Sequence, residues 1–325
     1  MLCIVYVTLV GAFLGVVGIL IERLIPPRWP RRWIWCVVLP LSLFLPGYNR
    51  FHHAWSVTEA LQQTQNGQVA ALAQPQLAIL TPMWWQHLEI YNRPINFVWH
   101  LLSGLLIVWG VANAIRVWDI VADAKRRRSE SSKPEIVDGV PVLITSQVGP
   151  ATVGLLRSKV LVPGWVLALP GMQRRYVLRH EEEHRRAHDA LLLFVASLSV
   201  ILVPWNLAAW WQVRRLSLAV EMDCDNRVVS ALGDAHAYGS LLLTVAQASS
   251  RGPRLQPAFL GIGSLERRLT QLVAYQPLRR FQQFLLPALA VILLSVVAWM
   301  PHPVAGPCST TDVATASAAT SPHNR

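Results

Sequence analysis

Four stretches of the chain are uncharged and have a span's length or close to it: Leu2 to Ile21, Trp33 to Tyr48, Ile95 to Ile115 and Phe281 to Met300. At about 1.5 Å per residue, a helix over the first of them crosses a hydrocarbon core of about 30 Å. That stretch has no basic start and no A-x-A exit, so it predicts a retained helix rather than a signal peptide. The second is the shortest and contains Pro40, with Trp33 and Trp35 suited to the membrane interface. A further apolar run, Ala190 to Val213, also has the length of a span. Pro204 and Asn206 interrupt it, however, and Arg185, Arg186, Arg214 and Arg215 flank its two ends.

The polar segments between these runs set the orientation. Residues 49–94 carry only Arg50 and Arg93 as basic residues and predict an outside loop, with Trp84-Trp85 as an interfacial anchor. Arg23, Arg28, Arg31 and Arg32 on one side, and Lys125 to Arg128 on the other, mark the opposite face as cytoplasmic. Residues 119–280 are mixed in composition and form the expected domain. Residues 129–134 read as a flexible lead-in to it. Pro141 to Thr145, Ala151 to Leu156 and Lys159 to Val162 are β-prone runs separated by Gly and Pro, and predict a small antiparallel sheet. Such a sheet offers an edge along which an extended peptide can add a strand. Met172 to Asp189 has helical spacing; Glu221 to Ala231 predicts a second helix closed by Gly233, and Asp234 caps a third running to about Ser250. Residues 301–325, rich in Ala, Ser, Thr and Pro, predict a disordered tail.

Composition agrees with a membrane protein: of 325 residues, 53% are hydrophobic and 14% charged. The net charge of +11 is accounted for by arginine on the cytoplasmic side, so no direct nucleic-acid contact is expected. The 4 cysteines are scattered and form no CxxC pair, which excludes a disulfide framework and a cysteine zinc site.

The chemistry lies in Arg179-His180-Glu181-Glu182-Glu183-His184 and in Glu221-Met222-Asp223-Cys224-Asp225. Positions i and i+4 of a helix lie about 40° apart around its axis, so His180 and His184 can ligate one zinc ion. A zinc enzyme with one position open for water needs a third ligand, and Glu221 supplies a His₂Glu set. Asp225, one turn on, is placed to accept the second ring N–H of a ligand histidine. Because Glu221 must reach the same ion, residues 190–213 cannot cross the bilayer. They are expected to form a helical hairpin or two buried helices that return to the cytoplasmic side.

The general base is ambiguous from spacing alone, since H-E-x-x-H and the inverted H-x-x-E-H both fit and nominate Glu181 and Glu183 respectively. The bland alternative for the whole cluster is a charged, solvated helix face. Cys224 is read as a packed side chain rather than a ligand, and His188 as surface or supporting. His236, Tyr238 and Arg227 are candidates for stabilising a tetrahedral oxyanion, without any spacing that singles one out.

The stretches Ser146-Gln147-Val148-Gly149-Pro150, Val153-Gly154-Leu155-Leu156, Val160-Leu161-Val162-Pro163, Val177-Leu178-Arg179-His180-Glu181 and Glu221-x-x-Cys224-Asp225-x-x-Val228 resemble the BlaR/MecR family of membrane antirepressor metallopeptidases. Leu265 to Leu272 is similar to that family's later helical segment. The resemblance implies a gluzincin-like fold, zinc on His180, His184 and Glu221, and Glu181 as the base. It also implies proteolysis of a winged-helix repressor after an outside signal. Glu182 and Glu183 are more acidic than that family's pattern and are expected to pair with Arg185 and Arg186. Only residues 301–325 follow Met300, so β-lactam sensing through a C-terminal penicillin-binding domain is not expected.

The expected architecture is a mainly α membrane protein. Residues 1–118 hold three transmembrane helices, 119–280 the cytoplasmic α+β peptidase domain, 281–300 the fourth helix and 301–325 an outside tail. The expected protein is a bacterial inner-membrane zinc endopeptidase with one Zn²⁺ per chain, both termini outside and a protein substrate. A housekeeping protease similar to HtpX and CAAX-type enzymes is the alternative within enzymes; a non-cleaving signalling scaffold is the alternative outside them.

Overall fold

The computed structural model describes residues 2–26, 29–46, 48, 92–127, 135–145, 149–249, 264–273 and 280–299. Most of the expected outside loop, its Trp84-Trp85 pair, the lead-in at 129–134 and the tail at 301–325 lie outside the described residues.

The apolar helices come first. α1 is Leu2–Leu24, α2 is Arg32–Pro46 and α3 is Asn92–Arg127. α3 therefore starts ahead of the expected boundary, with Pro94 in its first turn, where a missing N–H costs nothing. Among the described helices, α1 and α3 are long and apolar enough to cross a membrane, whereas α2 is shorter.

β1 (Glu135–Val137), β2 (Val140–Thr145), β3 (Ala151–Val153) and β4 (Lys159–Pro163) follow. They form one sheet of order β1-β2-β4-β3, with β2 and β4 parallel. The sheet is thus mixed, where a wholly antiparallel one was expected. β4 carries Val160, Leu161 and Val162, all at 0% exposure, and takes the centre. Its alternate side chains serve two cores. Val160 and Val162 face the helices that follow, while Leu161 packs with Ala124 of α3, Leu143 and Val153. β3, with its smaller residues, is left at the edge.

α4 (Gly164–Leu167) and α5 (Gly171–Ala187) lead into α6 (Asp189–Leu202) and α7 (Leu207–Leu232). The run 190–213 therefore reverses between α6 and α7, as the expected meeting of Glu221 with the histidines required. The turn satisfies its own polar backbone, a necessity in an apolar setting. Asn206 Oδ1 accepts from the backbone N–H groups of Ala208 and Ala209 at 3.0 and 3.2 Å. At the end of α6, Ser103 Oγ donates to Ile201 O at 2.8 Å and Trp99 Nε1 to Leu202 O at 2.9 Å, both from α3. Trp210 Nε1 donates to Pro204 O at 2.9 Å. α8 (Ala235–Ser249) starts as expected with Asp234 Oδ1 accepting from Ala237 N at 2.9 Å. α9 (Ser264–Val273) and α10 (Arg280–Trp299) complete the described chain.

α7 is shared by the two largest cores. Val213, Leu216, Ala219 and Val220 pack with Tyr6, Val10 and Leu14 of α1 and Trp35 of α2. Cys224 and Val228 pack with Val160 and Val162 of β4, Leu178 of α5 and Tyr238 of α8. Where α7 enters the apolar bundle, Gln212, at 0% exposure, donates through Nε2 to Gly11 O at 2.7 Å. Gly15 admits Trp211 so closely that an added Cβ would stand 2.4 Å from its Cζ3. Trp211 is itself held edge-on against Trp35 at 5.5 Å. Gly15→Ala is therefore expected to cost about 1–3 kcal/mol. The check is a lower thermal midpoint in detergent, partly restored by the double variant Gly15→Ala with Trp211→Leu.

Candidate metal centre

α5 is helical through the two histidines because Pro170 opens it and His188, in the left-handed conformation at φ 54°, closes it. That corner starts α6, and the α6–α7 reversal returns Glu221 to the level of the histidines. His180 Nε2 and His184 Nε2 lie 3.2 Å apart. Glu221 Oε2 is 3.6 Å from the first and Glu221 Oε1 3.8 Å from the second. Two nitrogens at about 2.0–2.1 Å from a tetrahedral zinc are about 3.3 Å apart, so the donor set fits such an ion with little adjustment.

The other ring nitrogens are both occupied. His184 Nδ1–H donates to Asp189 Oδ2 at 2.8 Å, leaving Nε2 free to ligate. His180 Nδ1 meets Tyr238 Oη at 3.0 Å, and that hydroxyl donates to Asp225 Oδ1 at 2.7 Å. Asp225 thus reaches His180 chiefly through Tyr238; its direct approach is 3.5 Å. Arg268 of α9 binds both oxygens of Asp225 at 2.7 Å and approaches Glu221 Oε2 at 2.9 Å.

Cys224 lies closer than the sequence led one to expect. Its Sγ is 3.3 Å from His180 Nδ1, and His180, His184 and Cys224 offer ligand atoms that all lie within 4.8 Å of one another. The thiol also interacts with His184, so Cys224 and Glu221 both stand within reach of the two histidines.

Electrostatics favour a cation at this cluster. Burial pushes His180 down, but Cys224 and Glu221 outweigh it and hold the imidazole up at about 10. Burial is likewise overcome at His184, raised by Cys224, Glu221 and Asp189. Glu221 is held well below the ordinary carboxylate range despite burial, by Arg268 and the two histidines. Anionic partners thus draw positive charge onto the histidines, and a divalent cation held by these residues would supply that charge instead.

Glu181 is buried beside this group. Thr152 Oγ1, on edge strand β3, lies 3.0 Å from Glu181 Oε2 and 2.8 Å from Glu181 O. Glu183 is engaged elsewhere, with Arg179 at 2.7 Å and Arg227 at 2.9 Å rather than Arg185 or Arg186. Glu182 takes both of those arginines, at 2.6 and 2.8 Å. Glu183→Gln is accordingly expected to keep most proteolysis while costing about 1–3 kcal/mol of stability, since a buried acceptor loses its charge but keeps its shape. A complete loss of cleavage in that variant would move the base role to Glu183.

Tyr238 joins the cluster, whereas Arg227 lies against Glu183 and Asp189 and His236 is exposed on α8. His188 forms the exposed α5–α6 corner. Sequence reasoning passed over Arg268, Asp189 and Thr152. Arg268 had a signal: it sits among Leu265, Leu269 and Leu272 at i, i+3, i+4 and i+7, on the apolar stripe of α9.

Two helices whose histidines and carboxylate converge, backed by a small mixed sheet and joined to apolar helices, define a membrane-associated metallopeptidase. The model of the BlaR1 peptidase M56 family matches residues 1–272, and the chain belongs to that family. The match takes in α1 to α3 as well as the sheet and the metal centre, and it includes Arg268. No individually curated protein matches the chain.

Proposed function

We propose that the protein is a zinc endopeptidase of the HExxH type, embedded in a bacterial inner membrane with its centre at the cytoplasmic surface. The observation that carries this is the convergence of His180 Nε2, His184 Nε2 and the Glu221 carboxylate beside Glu181. A zinc ion held by these three residues supplies Lewis acidity to an attacking water and to the peptide carbonyl. Glu181 takes a proton from that water and returns it to the leaving amine. β3, at the sheet edge and touching Glu181 through Thr152, offers backbone groups to an extended peptide. Arginine on the inner flanks supports the orientation, with four spans, both termini outside and the cytoplasmic peptidase domain at 119–280.

The substrate we propose is a winged-helix repressor, cleaved after a signal. The support is membership of the BlaR1 peptidase M56 family. The test is a search of the neighbouring genes for a winged-helix repressor, followed by incubation of the purified chain with the repressor so found. Cleavage is expected to stop when a chelator strips the metal and to resume on adding zinc. Relief of repression that persists with the metal removed would overturn the protease reading in favour of a binding scaffold.

A further inference from the structure

The start of α2 is tied both to α7 and to the candidate metal centre. Its backbone is held by Asp223 of α7, at 3% exposure, whose Oδ1 and Oδ2 accept from the N–H groups of Arg31 and Arg32 at 2.9 and 3.0 Å. These are the first, otherwise unpaired donors of α2. The Arg32 side chain continues inward, and its Nη1 donates to Asp189 Oδ1 at 2.8 Å. The other oxygen of Asp189 accepts from His184 Nδ1 at 2.8 Å. Asp189 is 2% exposed, so a free carboxylate there would be costly. Arg227 Nη2 stands farther off, at 3.7 Å.

We infer that Arg32 is a positioning residue for the His184 imidazole, acting through Asp189. It fixes the rotamer and charge of Asp189, which in turn fixes the ring orientation and keeps Nε2 toward the ion. The inference rests on His184 being a metal ligand, as proposed above. It makes the connection between two apolar helices part of the metal site, although no residue of α1 or α2 ligates.

The test uses the full chain in detergent and reads metal binding rather than proteolysis. Arg32→Gln leaves the backbone cap by Asp223 in place. It is expected to weaken zinc about 10–100-fold in competition with a chelator and to shift the visible spectrum of the cobalt-loaded protein. Arg31→Gln, which loses a contact at 3.1 Å to Gln271, is expected to bind zinc like the wild type. Arg32→Lys is expected to recover part of the affinity. In an Asp189→Asn background, Arg32→Gln is expected to add no further weakening. Wild-type affinity and spectrum in Arg32→Gln, or an undiminished effect in the Asp189→Asn background, would overturn the inference. Should Arg32→Gln fail to fold, Arg32→Lys decides: a shifted cobalt spectrum at an unchanged thermal midpoint sustains it, and a wild-type spectrum sinks it. A wild-type chain that takes up no zinc, or a His184→Ala chain that takes it up unchanged, would instead overturn the metal reading itself.

Discussion

Glu181→Gln is expected to retain zinc near one per chain and to lower the rate of substrate cleavage by about 10²–10⁴-fold, the usual contribution of a positioned general base. Gln has the same shape and removes only basicity. The three proposed ligands are untouched, and the Thr152 hydroxyl, 3.0 Å from Oε2, can still donate to the amide oxygen. Glu181 is buried, at 7% exposure, so a shape change there would confound packing with chemistry, which the isostere avoids. Metal analysis and single-turnover cleavage on the same preparation separate the two effects. Unimpaired cleavage would mean that another group removes the proton, and signalling without cleavage would favour the scaffold.

The second large effect is expected at Arg268→Met. This guanidinium gives two hydrogen bonds to Asp225, each at 2.7 Å, and one contact to Glu221 at 2.9 Å. Burial opposes its charge, but Glu221 and Asp225 hold its pKa well above the ordinary arginine value. Without it Asp225, at 2% exposure, keeps Tyr238 as a partner but loses its countercharge. Breaking such a pair on one side costs about 3–5 kcal/mol. For a protein of this size that lowers the thermal midpoint by roughly 10 °C. Adding Asp225→Asn to Arg268→Met removes the stranded charge and is expected to recover part of the loss. Purely additive losses in the double variant would show that the two residues do not act as a pair.

The elements that were legible in the sequence are those set by period or by a local cap. The i, i+4 spacing placed His180 and His184 on one face, and Asp234 and Gly233 marked the α7–α8 junction. The reversal within residues 190–213 was legible only because Glu221 had to reach the histidines; hydropathy alone would have sent it across the bilayer. Strand order was not legible. It depends on β4 being the most buried strand, a property of its neighbours rather than of its spacing from β3. Asp189 was hidden for a related reason. A single acid before an apolar run reads as a boundary, and nothing local says that Arg32 and His184 will meet on it. Glu183 was expected to pair with Arg185 and Arg186, which go to Glu182 instead; it pairs back along α5 with Arg179 and across to Arg227 of α7.

α7 is one uninterrupted rod from Leu207 to Leu232. Gln212, wedged against the backbone of α1, and Glu221, facing the histidines, are about 13 Å apart along its axis. A helix that is packed along its length moves as a unit, whereas metal–ligand distances tolerate only about 0.2 Å. The close approach of α7 to Gly11 and Gly15 therefore sets the height of the carboxylate as well as the packing of the apolar bundle, and one helix carries both.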